Sequence, residues 1–151
     1  MHLSAFSIQQ GKENHLGAVF SLISELALFE KAPQEVINSL PQFKADFKNK
    51  YFDFFVVFNS NKIIIGFALF YFRYSTWKGK CLYLEDFYMQ PSYRSQGIGV
   101  HLFDAVKEYG LKNQCKLVTW QVLDWNVRAI NFYEKNGAVI DKTWYNGKLA
   151  L

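Results

Sequence analysis

Arg94-Ser95-Gln96-Gly97-Ile98-Gly99 is the stretch on which the fold turns. It follows a run rich in aromatic and aliphatic residues, 81–89, that is closed by Gln90-Pro91-Ser92. It precedes a segment in which Val100, Leu102, Phe103, Val106, Tyr109 and Leu111 recur at helical steps. A strand therefore enters the stretch and a helix leaves it. Two glycines two apart let the backbone approach a bound group closely, and the unpaired N–H groups of the first helical turn, at the positive end of its dipole, attract a pyrophosphate. Taken alone, the same letters also describe a plain tight turn. Their place between strand and helix favours a polyphosphate cofactor. No Gly-Lys-Ser/Thr follows, and the third glycine and first-strand position of the dinucleotide fingerprint are missing, which disfavours ATP and NAD.

Working outward, residues 52–58 and 62–74 are β-branched and aromatic runs separated by Asn59-Ser60-Asn61, the composition of an antiparallel hairpin. A turn at Trp77-Lys78-Gly79 leads into the strand at 81–89. Upstream, 3–8 reads as a first strand, and 13–29 as an amphipathic helix with Leu16, Val19, Phe20, Ile23, Leu26 and Ala27 on one stripe. A second helix starts near Pro33, and Pro41 breaks its apolar stripe, so two short pieces or a kink are expected. Downstream, 116–122 reads as a strand, and Asn126 opens a last helix that ends at Asn136-Gly137, a pair suited to a left-handed cap. Residues 139–140 and 148–151 are expected to add terminal strands. The order β, α, α, β, β, β, α, β, α, β, β predicts a mixed α/β domain over 1–151, its central, mostly antiparallel sheet flanked by helices.

Composition narrows the classes. The 151 residues suffice for one domain, and half of them are hydrophobic with 19% aromatic, which favours a packed core over disorder. The apolar runs are shorter than a membrane span, and the first residues lack the pattern of a secretory signal, so a cytoplasmic protein without membrane partners is expected. Cys81 and Cys115 stand far apart and His2, His15 and His101 are isolated, so no metal is expected. The net charge of +4 comes from scattered lysines rather than a basic patch, which disfavours nucleic acid and suits a polyanionic cofactor.

Residues 94–99 resemble the Arg/Gln-x-x-Gly-x-Gly/Ala loop of the GNAT acetyltransferase superfamily, and the element order on either side agrees over nearly the whole chain. More narrowly, Phe67-Ala68-Leu69-Phe70-Tyr71-Phe72, Trp77-Lys78-Gly79-Lys80, Leu82-Tyr83-Leu84-Glu85-Asp86-Phe87, Trp125-Asn126 and 131–138 resemble the diamine acetyltransferase branch, which contains spermidine/spermine and thialysine acetyltransferases. The resemblance implies the acyl-CoA N-acyltransferase fold and direct transfer of acetyl from acetyl-CoA to a primary amine of a small molecule. It implies that Phe87, Tyr88 and Met89, Arg94, Ser95, Gln96, Gly97, Ile98, Gly99 and Val100, and Asn126 bind the cofactor. By the same resemblance Tyr133 is the general acid for the departing thiolate. Glu85 serves the amine as base through water or as charge partner. Glu30, Asp86 and Trp77 complete the substrate side, and the protein is a homodimer.

From strand alternation, adjacent Glu85 and Asp86 are expected on opposite faces, so that only one faces a given cleft. An amine of lysine-like pKa, about 10.4, is mostly protonated near neutrality, so a carboxylate both attracts it and helps remove its proton. Phe29 stands where the branch often has tyrosine, Ser75-Thr76 replaces an acidic stretch, and the acidic C-terminal residues of polyamine enzymes are missing. These departures favour a diamine, thialysine or lysine-like substrate over a long polyamine. Acetylation of a protein lysine or N-terminus, and non-catalytic sensing of acetyl-CoA, are the alternatives.

Overall fold

The computed structural model describes residues 5–151 and divides into two compact units, Met1–Gln121 and Val122–Leu151. The first unit holds a five-stranded sheet in the order β1-β2-β3-β4-β5. Its strands are β1 (Phe6–Gln10), β2 (Asp53–Asn59), β3 (Ile64–Ser75), β4 (Gly79–Met89) and β5 (Val118–Thr119). All neighbours are antiparallel except β4 and β5, which run parallel. The mixed, mostly antiparallel sheet expected from sequence is thus present. The expected first strand begins partly at residues 3 and 4, which lie outside the described residues.

Helices α1 (Leu16–Phe29) and α2 (Leu40–Lys48) cover one face of the sheet. Leu16, Val19 and Leu22 of α1 and Phe43 of α2 pack with Phe54 and Val56 of β2, Phe67 and Leu69 of β3, and Tyr88 of β4. Helix α3 (Ile98–Lys112) covers the other face, where Tyr109 meets Phe55, Phe70 and Phe72 and Phe103 meets Phe87. The segment forms two short pieces, as expected from the break at Pro41, and Pro41 lies in the first turn of α2. Proline is tolerated in the first turn, and the Ser39 hydroxyl caps that turn by accepting the Gln42 N–H at 3.3 Å. Pro33 starts only a short 3-10 turn, Pro33–Glu35.

The second unit contains α4 (Val127–Lys135), closed by Gly137 at φ +86°. The strands expected at 139–140 and 148–151 are not formed. Asp141 accepts hydrogen bonds from the backbone N–H and hydroxyl of Thr143, turning the chain there, and Val139, Tyr145 and Leu149 are exposed. Apolar letters alone do not make a strand where its backbone groups find no ladder. The strand expected at 116–122 likewise contracts to β5, because its pairing with β4 consists of Leu82↔Val118 and Tyr83↔Thr119.

Candidate active site

The site is built on β4. Between Leu69 and Phe70 the register of β3 against β4 slips by one residue: Phe70 opposes Leu84 and Leu69 opposes Asp86, leaving Glu85 as the extra residue of a β-bulge. On the hairpin-tip side of the bulge, Tyr83 opposes Tyr71 and the two rings lie 5.3 Å apart. Alternation from Tyr83 puts Glu85 on that same face, where the Tyr71 hydroxyl donates to Glu85 Oε2 at 3.1 Å. Beyond the bulge, Asp86 shares a face with its partner Leu69, which belongs to the core beneath α1. Both carboxylates therefore lie on the α1 face. The expectation of opposite faces is overturned, because the inserted residue cancels the alternation on which it rested.

Glu85 is exposed and Asp86 half-buried. Burial pushes the Asp86 carboxyl up to about 7, helped by the negative charges of Glu85 and then Glu30. Glu30 follows the last turn of α1, and burial raises its carboxyl too. The structure thus brings Glu30, Glu85 and Asp86 into one acidic patch. Trp77 does not join them: it is exposed at the tip of the β3–β4 hairpin, roughly 15 to 20 Å from Tyr71 at about 3.3 Å per strand residue.

The cofactor-side residues follow at once along the strand. Phe87, Tyr88 and Met89 are paired to β3 on one edge, while the β4–β5 ladder ends at Tyr83. From Leu84 onward β5 does not ladder the other edge of β4. After β4 comes the 3-10 turn Pro91–Tyr93 and then the loop. Ser95 at φ +61° and Gly97 at φ +80° both adopt the left-handed conformation, the kind of turn that gathers backbone N–H groups into an anion-binding concavity. Gly97 is the N-cap of α3 and supplies no capping side chain, so the first turn, from Ile98 through Gly99 and Val100, presents its N–H groups without side-chain competition. Gln96 Nε2 donates to the Ser92 carbonyl at 3.0 Å and pins the loop. These features fit a pyrophosphate at the loop and a pantetheine along β4.

Glu25, Gln90, Tyr71 and Tyr83 were not singled out from sequence as site residues. Arg94 does more than flank the loop: its Nε donates to the Met89 carbonyl at 2.7 Å, and its guanidinium lies 5.2 Å from the Phe29 ring centroid and 5.3 Å from that of Tyr88. The Tyr88 hydroxyl donates to Glu25, as does Gln90 Nε2. The end of α1, the end of β4 and the loop are tied together by these contacts. Tyr71 and Tyr83 were legible in principle, since counting back from the hairpin turn pairs them.

In the second unit, Tyr133 is buried on α4, its ring 5.5 Å from that of Phe132. Asn126 caps the same helix by accepting the Ala129 N–H at 3.2 Å. A separate cleft of about 540 Å³ in the first unit, lined by Phe47, Asp53, Phe70, Tyr71 and Tyr109 among others, carries none of the acidic patch on its walls. Several polar groups of that cleft are already committed: Asp53 accepts from Gln10 and Tyr109, and Glu13 pairs with Lys48. Among the described residues no group of three His, Cys, Asp or Glu side chains is placed to hold a metal ion, and no helix is long and apolar enough to cross a membrane.

Comparison with known proteins agrees with this geometry. The profile of the acetyltransferase (GNAT) family matches residues 19–138. The thialysine N-epsilon-acetyltransferase of Mus musculus is 36% identical over 145 residues, covering 90% of this chain and 85% of that protein. Its Bos taurus counterpart is 39% identical over 140 residues, covering 87% and 82%. Among solved structures, an aminoglycoside N-acetyltransferase in complex with CoA superposes with a TM-score of 0.77 at 19% identity, over 97% of each chain. The chain is an acetyltransferase and belongs to the acetyltransferase (GNAT) family.

Proposed function

We propose that this chain transfers acetyl from acetyl-CoA directly to a primary amine of a small molecule, of the diamine or thialysine type, with residues 1–151 acting as one catalytic domain. The observation that carries the reading is the acidic patch of Glu30, Glu85 and Asp86, two of whose carboxylates directly precede residues 87–89 on β4. A cofactor running along Phe87, Tyr88 and Met89, with its pyrophosphate on residues 94–100, would bring the thioester toward the bulge of β4 that carries Glu85 and Asp86. The bound cofactor supplies the activated acetyl carbon. Glu85, held by Tyr71, attracts and orients the ammonium, Tyr133 gives its phenolic proton to the departing thiolate, and Asn126 supports the cofactor from the start of α4. Trp77, away from the patch in one chain, is kept as an outer contact for longer substrates.

A patch of three carboxylates matches one or two ammonium groups, and the names of the mouse and bovine relatives point to a lysine analogue. The deciding experiment is a CoA-release assay with acetyl-CoA against thialysine, lysine, ornithine, diamines, polyamines and aminoglycosides, with lysine and N-terminal peptides alongside. Turnover is expected for the short amines, with kcat/KM at least 10-fold above that for spermine. Turnover confined to the peptides would replace this reading with protein acetylation.

We further propose a cytoplasmic homodimer. The free thiols Cys81 and Cys115 suit a reducing compartment, and exposed Phe72, Tyr74 and Trp77 along the β3–β4 hairpin offer apolar surface for a second copy. Light scattering is expected to give twice the chain mass, and a monomer at assay concentration would end the dimer proposal.

A further inference from the structure

We propose that Asp86, brought by the β-bulge at Glu85 to the α1 face of β4, is the group that takes the proton from the substrate ammonium, while Glu85 binds and orients that ammonium. The proposal rests on the amine-acetylating reading above and deepens it by separating the two carboxylate roles. Geometry distinguishes them. Glu85 is exposed and already accepts a hydrogen bond from Tyr71. Asp86 is half-buried, has no hydrogen-bond or ion-pair partner among the described residues, and its oxygen atoms are not wholly sealed from solvent. Asp86 is also the residue directly before the segment 87–89 proposed to carry the pantetheine, so of the two carboxylates it stands nearer the thioester along β4.

The surroundings tune it for this task. On its own strand Glu85 repels its negative form, and so does Glu30 at the end of α1. On β3 it faces Leu69, while the neighbouring Tyr71 hydroxyl is spent on Glu85. Glu25 of α1 is engaged by Tyr88 and Gln90, and Arg94 is committed to the Met89 carbonyl and the Phe29 and Tyr88 rings. No cation is bonded to Asp86 among the described residues, and its carboxyl is held at about 7. A base of that strength is ionised in half its molecules at neutral pH, yet accepts a proton more readily than an ordinary carboxylate. An arriving ammonium supplies the missing positive partner and then the proton.

The step balances as follows. One N–H proton of the ammonium passes to a carboxylate oxygen of Asp86, and the freed lone pair forms a bond to the thioester carbonyl carbon. The C–S bond breaks, and the sulfur takes a proton from the Tyr133 phenol. The nitrogen loses its second proton as the amide forms, restoring the phenol, and Asp86 returns its proton to solvent.

The test compares pH profiles of kcat/KM for the wild type, Asp86→Asn and Glu85→Gln with whichever amine the panel identifies. The wild type is expected to lose activity as pH falls through about 7, the acid side on which Asp86 carries its proton. Asp86→Asn is expected to lower kcat about 100-fold, with the amine KM within 3-fold, and to abolish that acid limb. Glu85→Gln is expected to keep the limb, moved to lower pH because a charge that repels ionised Asp86 is gone, and to raise the amine KM about 10-fold. An Asp86→Asn enzyme that retains both rate and limb overturns the proposal, as does loss of the limb in Glu85→Gln alone. A second measurement needs no turnover: carboxyl carbon NMR of the substrate-free wild type, assigned with Asp86→Asn, is expected to show Asp86 titrating near 7, and titration below pH 5 overturns the proposal. Wild-type protein that acetylates no amine refutes the functional reading instead, so the two failures are distinguishable.

Discussion

Tyr133→Phe is expected to lower kcat about 100-fold while leaving the KM for acetyl-CoA within 3-fold of the wild type. The phenol contributes a single oxygen, and the substitution keeps the ring that packs against Phe132 in α4. What is lost is the proton donor for the thiolate, a group of the kind that contributes 10²–10⁴-fold in rate. A coenzyme A thiolate is a tolerable leaving group, which places the expected loss toward the lower end of that range. Tyr133 is 6% exposed, so circular dichroism and urea denaturation of the variant check that α4 survives loss of the hydroxyl. Steady-state kinetics with a pre-steady-state burst measurement checks the result, because a slow product-release step would mask a slower chemical step. Unchanged single-turnover rates would remove Tyr133 from the acid role.

Most of the fold was legible because its elements have local signatures. The hairpin of β2 and β3 is marked by two apolar runs around Asn59-Ser60-Asn61, and α3 by a 3.6-residue stripe after a glycine-rich loop. The terminal strands were misread for the converse reason. A strand's existence is settled by a partner, and the letters Val139-Ile140 do not reveal whether one is there. The break into two short pieces at Pro41 was legible, because proline suits a helix start and not a helix interior, and Ser39 two residues earlier was the further signal that places the start of α2.

At the site, the loop could be read from its spacing and place, and the end of β4 through the family resemblance, but the relation of Glu85 to Asp86 could not be read from strict alternation. A trace of the bulge is nevertheless present. Positions facing α3 run Leu82, Leu84 and then Phe87, an interval of three where an unbroken strand keeps two. The slip falls at the two acidic residues. Bulges recur beside active sites because the extra residue re-aims a side chain without ending the strand, and here it sets two consecutive carboxylates on one face. The raised Asp86 carboxyl was beyond sequence reading altogether, since it depends on Glu30, which is 56 positions away in the chain.

Gly66→Ala is expected to damage the cofactor site from behind. Gly66 lies on β3 opposite Met89, and a Cβ there would stand 2.7 Å from the Tyr88 carbonyl oxygen and overlap the Met89 sulfur. The sulfur ends a flexible side chain and can move. The carbonyl is backbone, so β3 and β4 must part where Met89 and Tyr88 are proposed to meet the pantetheine, and where Arg94 Nε reaches the Met89 carbonyl. Overpacking of this kind costs about 1–3 kcal/mol, and a displaced β4 edge is expected to raise the acetyl-CoA KM about 10-fold. Gly17→Ala is the matched control: nothing lies within 4 Å of its added Cβ, and alanine in α1 is expected to gain about 0.5–1 kcal/mol through helix propensity. Urea denaturation and acetyl-CoA titration of both variants should therefore show opposite signs in stability and a binding defect in Gly66→Ala alone. If Gly66→Ala binds acetyl-CoA as tightly as the wild type, the end of β4 is not what positions the pantetheine, and the placement of the thioester beside Asp86 loses its main support.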